Sequence, residues 1–116
     1  MHCPRCDRLM VEIEFKGIQL DYCSCGIWLD RGEFEALTGS ALGASTTARE
    51  AKKPIVCPRC EARLEQFRPE GIDVTLDRCP FGDGLWFDKG EFEQVLDRLV
   101  PQGLETVRGL LKSIFS

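Results

Sequence analysis

The chain has 116 residues, of which 43% are hydrophobic and 29% charged, and its formal net charge is −4. This composition is typical of a folded protein and leaves room for one ordinary domain or two very small ones. The negative charge argues against a protein that coats nucleic acid, because such domains usually carry a basic excess. No apolar run reaches the ~18 residues of a membrane span, and charged residues occupy the stretch where a signal sequence would begin. We therefore predict a cytoplasmic protein without a membrane association.

Cysteine is the most informative residue type, because the chain has seven cysteines and one histidine. An odd number of cysteines without an export signal argues against a disulfide framework. In a reducing compartment, closely spaced cysteines more often bind a metal or carry out redox chemistry.

The chain is an imperfect duplication. The segment Cys3–Cys6 returns as Cys57–Cys60, and Trp28–Glu35 returns as Trp86–Glu93 with similar residues in the same order. Matches in this number and order indicate two tandem repeats of one unit. We predict a first repeat at residues 1–39, a linker at 40–54, a second repeat at 55–100 and a C-terminal helix at 101–116.

Each repeat has the pattern of a β-hairpin followed by a short helix. In the first repeat, the alternation in Leu9–Phe15 predicts a strand, Gly17 a turn and Ile18–Tyr22 a second strand. Arg63–Arg68 and Ile72–Arg78 are the corresponding strands of the second repeat. Each repeat is too small for a self-sufficient apolar core, so we expect a metal-stabilised α+β fold.

Two acidic residues mark the start of each predicted helix. Asp30 is predicted to cap the first helix through its carboxylate, while Glu33 reaches back to the backbone N–H of Asp30. Asp88 and Glu91 repeat this pair in the second repeat. The alternative is a recognition or catalytic role for these carboxylates.

The first helix is expected to end near Gly39, and the second near Val100, where Pro101 stops it. Between the repeats, small residues followed by a charged stretch predict a simple tether.

Apolar residues at spacings of three and four predict an amphipathic C-terminal helix, namely Leu104, Val107, Leu111 and Ile114. It is expected to pack on the second repeat. A dimer or partner face is the first alternative and membrane-surface binding the second, although only Arg108 and Lys112 are basic there.

A tryptophan follows the second group of cysteines in each repeat. Trp28 and Trp86 are predicted to anchor the core beside the metal, with a base-stacking platform for nucleic acid as the alternative.

Four cysteines of the first repeat predict a metal site. Cys3 and Cys6 precede one strand of the hairpin, and Cys23 and Cys25 follow the other, so the hairpin brings four sulfurs together. Four thiolates in a tetrahedral array suit zinc or, less often, iron. In the first cysteine pair, a tight turn directs backbone N–H groups at the sulfurs, whereas the second pair has an atypical spacing of one residue.

The second repeat keeps three cysteines, namely Cys57, Cys60 and Cys79. Asp83 takes the position of Cys25 when the repeats are aligned on the following Gly-x-Trp, and a carboxylate can bind zinc. Alternatively, His2 crosses over from the first repeat, or the site is degenerate: metal-free, weak or completed by water. An open zinc position also occurs in enzymes, but no general base or substrate pocket is evident, so we predict no enzyme activity.

Together these motifs resemble the bacterial transcription-factor-IIB-type zinc-finger family of small zinc-ribbon proteins. The resemblance rests on Cys3–Cys6 with Asp21–Glu35, and on Cys57–Cys60 with Asp77–Glu93. It implies a zinc ribbon with four cysteine ligands in each repeat. Gly82 stands where the fourth ligand of the second repeat is expected, so that site departs from the family pattern.

These observations favour a non-enzymatic zinc-binding module that docks onto a protein or, less in keeping with the charge, onto nucleic acid. The family resemblance implies a role related to transcription. Candidates for a local basic face are the residues at matching positions of the repeats, namely Arg5, Arg59, Arg31 and Lys89. The alternatives are a rubredoxin-like redox protein, with one iron held by four thiolates, and a metal-handling protein that uses the incomplete site.

Overall fold

The computed structural model describes residues 1–15, 17–39, 42, 45–47 and 52–99. In these residues the elements are β1 (Val11–Phe15), β2 (Ile18–Cys23), β3 (Gly26–Asp30), α1 (Glu33–Thr38), β4 (Ser45–Thr47), β5 (Glu65–Pro69), β6 (Leu76–Arg78), β7 (Gly84–Asp88) and α2 (Glu91–Leu99). As predicted, α1 ends at Gly39, which adopts a left-handed conformation. The predicted C-terminal helix at 101–116 lies outside the described residues. No described helix is long and apolar enough to cross a membrane.

One antiparallel sheet unites the two repeats. Its strands follow the order β1-β2-β3-β7-β6-β5-β4, so β3 of the first repeat pairs with β7 of the second at the centre. The register is reciprocal: Trp28 lies opposite Trp86, and Gly26 faces Asp88 as Asp30 faces Gly84. The two repeats are therefore related by an approximate twofold axis through the central strand pair.

Both faces of the central strands are buried, because successive side chains point to opposite sides of the sheet. On the helix face lies a core of aliphatic and aromatic residues, among them Ile27, Leu29, Phe34, Phe87 and Phe92. On the other face, which we call the cysteine face, Trp28 and Trp86 pack beside the buried cysteines, and both indoles are 0% exposed. Burial on both faces explains the unbroken apolar runs in β3 and β7.

The predicted hairpins are present, and each is followed by a third strand, β3 or β7, that was not predicted from the sequence. The strand predicted at Ile72–Arg78 is wrong for its first half, because only Leu76–Arg78 is a strand. Ile72 instead closes a turn by donating its N–H to the carbonyl of Pro69 at 3.1 Å, and its side chain is buried in the core with that of Val74. Asp77 follows Ile72 by five residues, whereas Asp21 follows Ile18 by three, and the strand is interrupted in this longer stretch.

The predicted capping of α1 by the Asp30 carboxylate is wrong. The N-cap is Gly32, at φ 85°, and no side chain caps the helix. Glu33 reaches back as predicted, since its Oε1 accepts the backbone N–H of Asp30 at 2.6 Å, and Glu91 does the same for Asp88 at 2.8 Å. The aspartate carboxylates face the opposite repeat instead.

Candidate metal centres

The first cluster holds four sulfurs. The Sγ atoms of Cys3, Cys6, Cys23 and Cys25 all lie within 4.8 Å of one another. Cys23 ends β2, and its register partner Gly26 begins β3. The atypical spacing of one residue between the cysteines is therefore the tight turn that joins these strands.

Each cysteine turn directs a backbone N–H at a sulfur. These N–H groups are those of Arg5 and Cys25 in the first repeat, at 3.3 Å from Cys3 and Cys23, and of Arg59 and Phe81 in the second, at 3.4 Å from Cys57 and Cys79. Asp7 and Glu61 take left-handed φ angles of 61° and 63° directly after the Cys-x-x-Cys turns. Hydrogen bonds of this kind favour the charged form of the sulfur, which is the form that binds a metal.

The second cluster combines three sulfurs with one carboxylate. The ligand atoms of Cys57, Cys60, Cys79 and Asp83 lie within 4.8 Å of one another. Asp83 Oδ2 is 3.5 Å from Cys79 Sγ and 3.6 Å from Cys57 Sγ. His2, the alternative ligand considered from the sequence, belongs to neither cluster.

The ionisation of the second cluster differs from that of the first. Burial raises the pKa of the Cys3 thiol to about 11. A hydrogen bond with Asp83 raises the pKa of Cys60 to about 12, and the same bond lowers the pKa of the Asp83 carboxyl. Because Asp83 is already ionised, it can bind a cation without releasing a proton, whereas a protonated thiol must lose one.

The donor atoms of both clusters fit zinc. Zinc accepts four thiolates, or thiolates with one carboxylate, in a closed tetrahedral set. The all-sulfur first cluster is the stronger of the two. In the second, one soft sulfur ligand is replaced by a harder oxygen.

Arginines fix each cysteine turn to the opposite repeat. Arg5, inside the first Cys-x-x-Cys, donates to both carboxylate oxygens of Asp88 at 2.9 and 3.0 Å. Arg59, inside the second, donates to both oxygens of Asp30 at 2.5 and 2.6 Å. Each aspartate also accepts the indole N–H of the tryptophan two residues before it, at 2.8 to 2.9 Å. These bidentate pairs orient each metal turn from the other repeat.

Two glycines allow the repeats to approach at the centre. A methyl group at Gly84 would lie 2.7 Å from the Trp28 ring and would also collide with the backbone oxygen of Leu29. Gly26 has the matching relation to the Trp86 ring, at 2.8 Å. A side chain at either position would therefore separate β3 from β7.

A lysine from the predicted linker lies in a group of three carboxylates of the second repeat. Lys52 Nζ is 2.7 Å from Asp77 and 3.1 Å from both Asp88 and Glu91. The Gln66 side chain holds the backbone of Lys52, accepting its N–H at 3.3 Å and donating to its carbonyl at 3.0 Å. Lys52 thus has a structural role that a simple tether does not predict, because the buried Asp77 carboxylate requires a cation.

Comparison with known proteins identifies the family. The transcription factor zinc-finger family, which is the TFIIB-type zinc ribbon, matches residues 2–39 and 56–98, well over half of the chain. Neither the curated proteins nor the solved structures give a match. Each matched segment contains one cysteine cluster, and the first cluster is a zinc-binding site. The chain therefore belongs to the TFIIB-type transcription factor zinc-finger family, as two tandem zinc ribbons within a small α+β fold.

Proposed function

We propose that this protein is a non-enzymatic zinc-ribbon module that binds a protein partner. The observation that carries the proposal is that each metal centre has four side-chain donors within 4.8 Å and an arginine tie to the other repeat. A closed tetrahedral set is typical of structural zinc, whereas a catalytic zinc keeps one position for water or substrate. The metal then serves to fix the cysteine turns of each repeat, and the arginine in the turn binds the other repeat.

Charge supports a protein partner over nucleic acid. Arg5 and Arg59 were candidates for a basic face, but both guanidinium groups are engaged by aspartates of the opposite repeat. The net charge of −4 also opposes the phosphate backbone. By contrast, Leu9 and Phe81 are 68% and 76% exposed beside the two metal centres. Exposed apolar side chains of this size suit contacts with another protein.

We further propose that Asp83 completes a second zinc site. Elemental analysis of the untagged protein against an accurate protein concentration tests this directly. Two zinc ions per chain are expected for the native protein and one for Asp83→Ala. One zinc in the native protein would make the second cluster degenerate, and iron retained after growth in iron-poor medium would favour the rubredoxin-like alternative.

The protein-binding role is tested with a photo-crosslinking residue at Phe81 of the zinc-loaded full chain in its own cells. A discrete crosslinked protein is expected from this position and not from the exposed position Glu70. The purified partner should then bind the chain in a saturable manner. In parallel, labelled DNA and RNA should show no salt-dependent binding at low ionic strength. Tight nucleic-acid binding together with no protein crosslink would contradict the proposal.

A further inference from the structure

We infer that the first repeat carries a binding site for an extended, lysine-bearing segment of a partner protein. The site corresponds to the one in which the second repeat holds its own linker residue Lys52. This inference rests on the proposed protein-binding function and names the chemistry of the partner.

The two repeats place equivalent carboxylates around equivalent positions. On the cysteine face, Asp21 lies opposite Trp28 in the register, as Asp77 lies opposite Trp86. Asp30 and Glu33 of the first repeat make the same hydrogen bond as Asp88 and Glu91 of the second. The first repeat therefore has equivalent carboxylates in the triad Asp21, Asp30 and Glu33. Of the two triads, only that of the second repeat, which surrounds Lys52, has its oxygens within 4.8 Å of one another.

Asp21 lacks the direct ion pair that its counterpart Asp77 makes. Its side chain is 7% exposed, yet no hydrogen bond or ion pair reaches it from any described residue. Its counterpart Asp77 is 1% exposed and pairs with Lys52 at 2.7 Å. In the first triad, Arg59 donates its hydrogen bonds to Asp30, and its charge and that of the Met1 α-amino group act on Asp21 without a direct ion pair. No fully buried side-chain oxygen of the described residues lacks a hydrogen-bond partner, so the Asp21 carboxylate reaches solvent. A ligand ammonium at that opening would give it the direct ion pair that Asp77 has with Lys52.

The backbone shows what kind of segment brings the cation. In the second repeat, β4 pairs with the outer edge of β5, and Lys52 follows the end of β4 by five residues in the sequence. In the first repeat, β1 occupies the position of β5, but the described part of the chain places no strand beyond it. An open edge strand accepts an added strand from another protein through main-chain hydrogen bonds. The expected ligand therefore adds as an antiparallel strand to β1 and places a lysine among the triad.

One difference between the repeats affects which segment each of them binds. Gln66 lies opposite Asp77 and holds the backbone of Lys52, whereas Glu12 takes this place opposite Asp21. A carboxylate accepts a peptide N–H but cannot donate to a peptide carbonyl. Glu12 also adds a fourth negative charge, so the first repeat favours a more basic segment than the second. The compact ammonium of lysine suits three carboxylates approaching from different directions better than a planar guanidinium.

The test uses the zinc-loaded full chain, labelled with ¹⁵N, and a synthetic peptide with the sequence of residues 43–54 as the probe. We expect saturable, one-to-one shifts of the amide signals of β1 and Asp21. A peptide with methionine in place of the lysine equivalent to Lys52 should bind at least tenfold more weakly. Asp21→Asn should remove the binding, while the matched control Asp73→Asn, whose side chain is 77% exposed, should keep it. Glu12→Gln, at an exposed strand position, gives a second variant with a smaller expected loss if Asp21→Asn folds poorly.

Three results would overturn this inference. They are the absence of a saturable shift in β1, equal binding of the lysine and methionine peptides, and unchanged binding by Asp21→Asn. A concentration-dependent dimer in sedimentation velocity without peptide, with shifts in β1, would assign the site to another molecule of this chain and would also refute a separate partner. If the peptide fails while a protein still crosslinks at Phe81, the lysine site is refuted and the proposed function stands. If the peptide binds but no protein crosslinks at Phe81, the lysine site stands and Phe81 lies outside the surface that contacts the partner.

Discussion

Replacing Lys52 by methionine should destabilise the protein strongly. The substitution keeps the aliphatic stem but leaves Asp77, which is 1% exposed, without the cation 2.7 Å away. Removing one partner of a buried ion pair costs about 3–5 kcal/mol. Lys52 itself is 20% exposed, and Arg5 still engages Asp88, so we expect the lower end of that range, about 3 kcal/mol. At this chain length the loss corresponds to a fall in Tm of about 12 °C.

Urea unfolding of the zinc-loaded protein measures this loss. Trp28 and Trp86 are both 0% exposed, so their fluorescence reports the sheet centre. Lys53→Met is the matched control, because it makes the same substitution at the exposed neighbouring residue and should change the unfolding free energy by no more than about 0.5 kcal/mol.

A double variant tests whether the loss comes from the carboxylate. Adding Asp77→Asn to Lys52→Met removes the uncompensated charge. The double variant should therefore lose about 1–2 kcal/mol less unfolding free energy than the sum of the two single variants. If Lys52→Met costs no more than Lys53→Met, or if the double variant is fully additive, the charge argument is refuted.

Three further predictions concern the metal sites and the sheet centre. Gly84→Ala should lower the unfolding free energy by more than about 2 kcal/mol in the same urea assay, because its methyl group collides with the Trp28 ring; a neutral result would show that β3 and β7 are not closely packed. As the pH falls, the zinc affinity of the first site should decrease more steeply than that of the second, since zinc displaces protons from up to four thiols in one and three in the other. Competition with a zinc indicator measures both slopes, and equal slopes would argue against Asp83 as a ligand. Arg59→Met should destabilise the protein by about 1 kcal/mol, because the Asp30 carboxylate loses a bidentate partner whose side chain is 49% exposed. A thermal melt unchanged from the native protein would contradict this.

Local patterns in the sequence were sufficient for the repeat, the hairpins and the cysteine groups. Alternating residues in β1 and the cysteines at both ends of the hairpin carry their information within a short stretch of chain. The short spacing between Cys23 and Cys25 is also explained locally, because β3 begins at Gly26 and the two cysteines form the turn before it. The signal for β3 and β7 was present in the apolar run Ile27–Leu29, which is typical of a strand buried on both faces.

Contacts between the repeats could not be predicted, because their partners lie far apart in the chain. Asp30 has the residue type and position of a helix cap. Its carboxylate instead accepts hydrogen bonds from Arg59 of the other repeat, a contact that the local sequence does not indicate. Similarly, Lys52 lies in a stretch with the composition of a tether, and its importance depends on carboxylates from β6, β7 and α2. Asp83 was identified only by aligning the repeats, since neither its residue type nor its spacing follows the cysteine pattern.

The order of strands in the sheet also bears on how the protein folds. The outer strand pairs β1–β2 and β5–β6 are hairpins that close within a few residues, whereas the central pair joins Trp28 to Trp86 across the whole linker. Closing a loop of that length costs about 3–4 kcal/mol of chain entropy before any contact compensates. Non-local pairing of this kind slows folding. Shortening the linker should therefore accelerate folding until the linker can no longer reach, whereas changes inside a hairpin turn should alter the folding rate much less.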